Sequence, residues 1–513
     1  MRLNQNDYRN KLLGCWLGKN VGGTLGAPDE WQRRVNNVTF YKQPDLNGNP
    51  MPNDDLDIQL LWIHAMEQKG INVTSQRLAE YFCHYVVPFW AEYGTGKINM
   101  HQGLLPPLSG SFQNPHRHSC GAYIRSEIWA CIAPGLPKVA ACYAYEDAII
   151  DHGNGEGTYA EIFTAALESA AFFVSDLRAL IDIGLSYIPK DCGVAKAVHT
   201  TLECFDAKKN WLDTRHEVLR LHRGKLNDCQ VSAEDKARGF DTGVVGYDVP
   251  SNIAITLIGL LWGGDDFGQV QCIAVNCGED TDCTAATAGS IWGIIHGATA
   301  IPKKWLDPIG RGIKTICINL GDLDWGKKLP QTVDDLTDRT ARLCRQLLAR
   351  EKAEDLVAET PTDLTGISAA QLKASDEGRS IWGGFNSTRF DFDFFSVHVD
   401  YGTEGPIIRD NRPKTLTITV TNRNLAQANL SLHWYLPEGW QVSPSADGFG
   451  KSMSDWFGLP QFAQEFTFTA PKVERTCNRS ALEITVAGRP TVMLVPVTLL
   501  NGNLLPSESS AVS

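Results

Sequence analysis

The chain has 513 residues, enough for roughly two to four domains. Hydrophobic residues make up 43% and charged residues 21%, near the globular average, which excludes wholesale disorder. The balance of 47 basic against 59 acidic residues gives a net charge of −12, which argues against a general binder of phosphate backbones and suits a carboxylate site for divalent cations.

The start, MRLNQNDYRNKLLGCWLG, places Asp7, Arg9 and Lys11 before a short apolar stretch. A secretory signal needs about 7–15 apolar residues and a small-residue cleavage site. The apolar stretch from Ile253 to Gly264 is shorter than the roughly 20 residues that span a bilayer. A cytoplasmic protein without a membrane or nucleic-acid partner is the expectation. The 14 cysteines lie scattered from Cys15 to Cys477 without a CxxC pair, as buried small apolar residues in a reducing compartment do.

Residues 1–355 read as a large all-α domain. Apolar positions recur at three and four, as at Leu12, Cys15 and Trp16 and at Leu60, Leu61 and Ala65. Segments such as IFTAALESAAFFVSDLRALI and VDDLTDRTARLCRQLLAREK carry strong helix formers. Residues 356–389 are polar and rich in Thr and Ser, as a linker is. Residues 390–503 carry alternating β-branched runs, among them Thr415–Val420, Leu430–Trp434, Phe466–Thr469, Leu482–Val486 and Thr491–Val497, which predict a β-sandwich. The tail, 504–513, is expected to be disordered.

Two acidic clusters stand out. Asn53-Asp54-Asp55-Leu56-Asp57 precedes an amphipathic run, where Asn53 is a good N-cap and acids suit the helix dipole. Three acids in four residues exceed what a cap requires. Asn276-Cys277-Gly278-Glu279-Asp280-Thr281-Asp282-Cys283 enters a run of small residues, Thr284 to Ser290, that favours close packing in the interior. An acidic helix start buried there is costly without a cation. A divalent metal shared by both clusters is the simplest partner, and oxygen donors suit Mg²⁺ or Mn²⁺.

Four elements together resemble the ADP-ribosylglycohydrolase family. They are Gly14-Cys-Trp-Leu-Gly18 through Gly26-Ala27-Pro28-Asp29-Glu30, then Asn53-Asp54-Asp55, where the family has Thr-Asp-Asp. Next come Gly121-Ala-Tyr-Ile-Arg125 through Pro134 with Asp151-His152-Gly153-Asn154, and last Ala274 through Cys283, ending at Ile301-Pro302-Lys-Lys-Trp305. The resemblance covers about residues 8–345 and implies an all-α fold with one or two Mg²⁺ or Mn²⁺ ions in a cleft. Carried over by position, Asn53, Asp54 and Asp55 bind one metal and share Asp282, while Asp280, Asp282 and Cys283 surround the second. Gly121, Tyr123, His152 and Gly153 match loops lining the ADP-ribose cleft. Glu30 matches an acid near the scissile bond, and Glu279 is a second candidate for the catalytic carboxylate. Cys283 stands where the family has Thr, and Lys19-Asn20 stand where it usually has Gly-Asp.

The implied activity is metal-dependent hydrolysis of an N- or O-glycosidic bond to a ribosyl or ADP-ribosyl group, free or protein-linked. The segment LTITVTNRNLAQANLSLHWYLPEGWQVSPS resembles Ig-like accessory domains of carbohydrate-active enzymes, which keeps a glycan substrate open. The Cys283 change also leaves open a ligand-binding homologue without turnover. Trp434, Trp440 and Trp456 are read as core residues first and as a sugar-stacking surface second.

Overall fold

The computed structural model describes residues 1–223, 246–376, 378–424, 426–452 and 461–505. Trp456 and residues 506–513 of the expected disordered tail lie outside them. The chain divides into two compact units: Met1–Gly94 with Pro115–Gly383, and Thr95–Asn114 with the chain from Gly384 on.

The first unit is helical: α1 (Gln5–Gly26), α2 (Asp54–Lys69), α3 (Ser75–Tyr85), α4 (Ala91–His101), α5 (Glu127–Ile132), α6 (Pro137–Ala148), α7 (Glu156–Ala171), α8 (Leu177–Leu185), α9 (Gly193–Asp206), α10 (Trp211–His222), α11 (Val249–Gly263), α12 (Phe267–Asn276), α13 (Thr281–His296) and α14 (Val333–Arg350). Helix α4 begins in this unit and ends in the other. Helix α14 is amphipathic, with Leu336, Leu343, Leu347 and Leu348 buried and Thr332 capping it through a bond from Asp335 N–H. Helices α2, α7 and α13 are buried on nearly every face, the pattern of central helices.

The seam between α1 and α13 places the site. Gly14, Gly18, Gly22 and Gly26 lie at every fourth position, so they share one face of α1. A Cβ at Gly14 would come within 2.3 Å of Gly293 O, at Gly18 within 2.1 Å of Gly289 O, at Gly22 within 2.3 Å of Ala285 C, and at Gly26 within 2.3 Å of Thr281 O. The helices are thus antiparallel with their backbones in direct contact. Glycine disfavours a helix by about 1 kcal/mol per residue, so this packing outweighs the local preference. The C-terminus of α1 meets the N-terminus of α13, and Thr281 Oγ1 donates to Gly26 O at 2.8 Å.

The stretch expected as a linker over 356–389 is instead a strap on the helical unit up to Gly383. Leu3–Asn4 pairs in parallel with Val357–Ala358. Tyr187 Oη donates to Leu372 O at 3.0 Å, and Leu372 and Ile381 are buried. Polar composition did not distinguish a free linker from a tied one.

Among the described residues the second unit holds ten strands: β1 (Ser387–Asp391), β2 (Phe395–Asp400), β3 (Ile407–Ile408), β4 (Lys414–Asn422), β5 (Ala428–Tyr435), β6 (Gln441–Ser443), β7 (Asp447–Ser452), β8 (Gln461–Thr469), β9 (Cys477–Val486) and β10 (Val492–Asn501). They form two five-stranded sheets, in the orders β1-β2-β4-β8-β6 and β3-β10-β9-β5-β7. Pairings are antiparallel except β10 with β3. Leu416, Ile418, Val420, Phe466 and Phe468 of one sheet share a core with Leu432, Trp434, Leu482, Ile484 and Val495 of the other. Trp434 lies edge-on to Phe468 at 4.9 Å, so it is a core residue. Leu104 and Leu108 belong to the same core, although 1–355 was expected to form one helical domain. That the segment Thr95–Asn114 packs there is a long-range pairing which local patterning does not encode. No helix among the described residues is long and apolar enough to cross a membrane.

Candidate active site and metal centre

Asn53 caps α2 with its side-chain oxygen, which accepts from Asp55 N–H at 2.8 Å. Asp57, four positions after Asn53, accepts the backbone N–H groups of Ile316 and Cys317 at 2.7 and 2.6 Å. That structural task explains the third acid of the first cluster. Burial pushes Asp57 up to about 6 against those bonds.

The seam brings the other acids together. Atoms of Asp55, Asp282 and Cys283 lie within 4.8 Å of one another, and so do atoms of Glu30, Asp280 and Asp282. Asp282 is common to both sets. Asp54 lines the cleft above them with Glu30, Asp280 and Cys283. Cys283 therefore groups with Asp55 as well as lying beside Asp280, and Glu30 joins the acids as a potential ligand. Of the two acids ending the α1 motif, Asp29 turns to Lys42 at 2.7 Å, and Glu30 faces the cleft.

Electrostatics mark the cluster as cation-seeking. Burial, then the charge of Asp282, pushes Asp54 up to about 7. Burial, then Asp282, Asp54 and Asp55, pushes Glu30 up to about 10. Asp55, Asp280 and Asp282 are all raised, with burial the largest cause. Both carboxylate oxygens of Asp55, and Oδ1 of Asp280 and of Asp282, are buried without a hydrogen bond. Buried carboxylate oxygens are normally paired. Donors that are mostly oxygen, within 4.8 Å of one another and several of them without a hydrogen bond, fit divalent cations.

Lys19 sits behind the cluster. Its ammonium is fully buried, donates to Glu127 Oε1 and Ile124 O at 2.7 Å each, and lies 3.4 Å from Asp55 Oδ1. Burial lowers its pKa, but the Glu127 and Asp55 carboxylates outweigh that and hold it above the ordinary value. Lys19 is thus a resident cation on the inner side of Asp55.

Glu279 does not enter the cleft lining. Its residue has φ 70°, and its buried carboxylate pairs with Arg33 at 3.6 Å and with Arg223. The two arginines lie far along the chain from it, so the sequence cluster did not reveal them. Gly121 lines the cleft, and a Cβ there would lie 2.0 Å from Glu92 Oε1. Tyr123 and His152 are buried one layer behind, and Gly153 holds the turn after His152 at φ 48°.

Between His152 and the cleft stands Ser119, which sequence reasoning passed over. Its Oγ lies 3.2 Å from His152 Nε2, and His152 Nδ1 lies 2.7 Å from Asp151 Oδ1. Arg125 clamps Asp151 with two bonds of 2.7 and 3.0 Å and reaches Asp147 at 2.9 Å. Burial raises Asp151, yet Arg125 and His152 together hold it below the ordinary carboxylate range. Asp147 also accepts from the indoles of Trp62 and Trp129. The imidazole is thereby fixed in one orientation.

The cleft has a volume of about 320 Å³, and its lining includes Trp31, Trp90, Tyr93, His116 and Tyr247. Acids at its floor and aromatic faces in its wall suit a sugar joined to a flat group.

The family model described as ADP-ribosylglycohydrolase matches residues 4–350. ADP-ribosylarginine hydrolase Tri1 of Serratia proteamaculans is 43% identical over 49 residues, which are 10% of this chain and 13% of that protein. The protein of the same name in Pseudomonas putida is 23% identical over 83 residues, 16% of this chain and 19% of its own length. The chain thus spans less than a fifth of the length of either relative in these matches. Among solved structures, the crystal structure of FixG-related protein from Vibrio parahaemolyticus is 11% identical, covers 22% of this chain and 99% of that one, and superposes with a TM-score of 0.17, too low to carry an argument. The family match takes in the glycine seam, both acid clusters and every residue of the metal-ligand sets, and on it the chain belongs to the ADP-ribosylglycohydrolase family.

Proposed function

We propose that this chain is a metal-dependent hydrolase that cleaves the N- or O-glycosidic bond joining an ADP-ribosyl or similar ribosyl group to its acceptor. The observation that carries this reading is Asp282, common to the sets Asp55–Asp282–Cys283 and Glu30–Asp280–Asp282, whose members Glu30, Asp280 and Cys283 line an aromatic-walled cleft. Asp54 adds a further oxygen donor in the same cleft, and Asn53 orients the helix start that carries it. A divalent cation held there supplies charge stabilisation and a fixed orientation for ribose hydroxyls.

Glu30 is the group placed to exchange a proton with the leaving atom or with water, since it alone of the two candidate glutamates faces the cleft. Glu279 is engaged by Arg33 and Arg223 and serves to hold the loop before α13. Ser119, backed by His152, Asp151 and Arg125, presents a hydroxyl of fixed orientation to the polar part of the substrate. Tyr123 and Gly153 support that wall from behind.

Arginine is the first acceptor to test, because both relatives are named ADP-ribosylarginine hydrolase. The metal-free chain is incubated with ADP-ribosyl-arginine protein, ADP-ribosyl-serine peptide and a glycan panel, each with and without Mg²⁺ or Mn²⁺. Release of ADP-ribose that depends on the ion supports the proposal. Sugar release from a glycan alone transfers the activity to carbohydrates, and no release by a folded, metal-loaded chain sinks it.

A further inference from the structure

The two ligand sets differ in chemistry. Glu30, Asp280 and Asp282 offer carboxylate oxygens only, whereas Asp55, Asp282 and Cys283 include a thiol. Mg²⁺ demands hard oxygen donors in near-ideal octahedral geometry, and sulfur serves it poorly. Zn²⁺ and Co²⁺ accept a thiolate beside carboxylates in a four-coordinate shell. Cys283 is buried on the first turn of α13, and the α1–α13 seam fixes that turn, so its sulfur has little freedom to withdraw. Asp55, whose oxygen lies within 4.8 Å of it, has Oδ1 facing the Lys19 ammonium at 3.4 Å, while its Oδ2 and the Oδ1 of Asp282 are buried without a hydrogen bond. Two independent features thus meet at one point: a soft donor, and buried carboxylate oxygens of Asp55 and Asp282 close to it that accept no hydrogen bond.

We propose that Asp55, Asp282 and Cys283 form a thiolate position selective for thiophilic divalent ions such as Zn²⁺, beside an all-oxygen position at Glu30, Asp280 and Asp282 that takes Mg²⁺ or Mn²⁺. Asp282 serves both, so the centre is a mixed-metal pair. Binding at the first position replaces the S–H bond of Cys283 with a sulfur–metal bond and releases one proton to solvent, with no change of oxidation state. The inference rests on the reading of the acid cluster as a metal centre.

The test uses the full chain stripped with EDTA and titrated with Co²⁺ as the probe. A near-ultraviolet sulfur-to-cobalt charge-transfer band should grow in wild type and in Cys120→Ser, whose thiol also lines the cleft, and should vanish in Cys283→Ser. Zn²⁺ should displace the cobalt that gives the band at least about 10²-fold more effectively than Mg²⁺. Calorimetry should find one Mg²⁺ per wild-type chain and a second in Cys283→Thr, where a hydroxyl replaces the thiol. The inference is overturned if wild type takes two Mg²⁺ of similar affinity without a charge-transfer band on Co²⁺, or if the band survives Cys283→Ser. Failure of every ion to bind would sink the metal centre itself, whereas Mg²⁺ binding without a thiolate band sinks only the thiophilic position.

Discussion

Gly18→Ala tests the packing that assembles the site. The new Cβ would stand 2.1 Å from Gly289 O and 2.4 Å from Gly289 C, both backbone atoms that cannot rotate away. Real Cβ contacts do not fall below 3.0 Å, so an approach of 2.1 Å must open by about 0.9 Å. Overpacking a tight core costs about 1–3 kcal/mol, and a rigid neighbour puts this case at the upper end. Helix propensity returns up to about 1 kcal/mol. A net loss of about 2 kcal/mol follows, which lowers the melting midpoint of a helical unit this large by roughly 2–4 °C. The displacement also moves the first turn of α13 relative to Glu30, and a misplacement of about 1 Å costs on the order of 10²-fold in rate. Circular-dichroism melting in EDTA reads the first effect, and turnover on the best substrate reads the second. Gly312→Ala is the control, because no atom lies within 4 Å of its Cβ. A Gly18→Ala chain that melts at or above wild type and turns over normally would refute the seam as the organiser of the site.

Asp282→Asn removes the shared carboxylate, so calorimetric affinity at both positions should fall together with turnover by more than about 10²-fold; loss of one ion only would show that it does not bridge. Glu30→Gln keeps an oxygen at the same place, so ion binding should persist while kcat drops by about 10²–10⁴-fold, and unchanged kcat would return Glu279 to candidacy. In EDTA, Asp54 is raised from 3.8 to about 7 and Glu30 from 4.5 to about 10. Such groups bind protons in the folded state that the unfolded chain has lost, so stability should fall as pH rises from about 4 through 7 and on toward 10. Mg²⁺, which needs the ionised carboxylates, should flatten or invert that slope in melts run across pH. Leu108→Ala should destabilise the β-unit by about 2–5 kcal/mol, read as an earlier transition on heating, although residue 108 lies nearly 280 positions before its first strand.

The sequence made the helical class, the five long strands and the acids of the site legible, because each is encoded within a dozen residues. Periodicity marks α14, alternation marks β4 and β9, and the two acid clusters announce themselves by density. What it did not reveal depends on partners far along the chain. Asp57 stands in the sequence as an acid beyond what a cap requires, and its task comes from the amides of Ile316 and Cys317, some 260 positions away. Glu279 reads as a catalytic rival in the sequence, where its ion pairs with Arg33 and Arg223 carry no signal. Ser119 carried no signal beyond standing two residues before Gly121, and His152, its partner, lies 33 positions away. The grouping of Cys283 with Asp55 needs the antiparallel register of α1 and α13, which the i, i+4 glycines imply only once both helices are known to touch.

The strands of the sandwich close over Leu104 and Leu108, and that arrangement has a consequence for how the protein is made. On a ribosome the two leucines emerge about 280 residues before Ser387, where the first strand begins. At roughly 5–20 residues per second, that is a wait of about 15–55 s during which the pair has no native cover. Domains otherwise complete themselves in the order of synthesis; here an early segment must be kept free of the surrounding helices, and of other nascent chains, until the last quarter of the polypeptide arrives. Slowing translation downstream of residue 114 should lengthen that exposure and lower the yield of native protein, whereas supplying a holding chaperone should restore it.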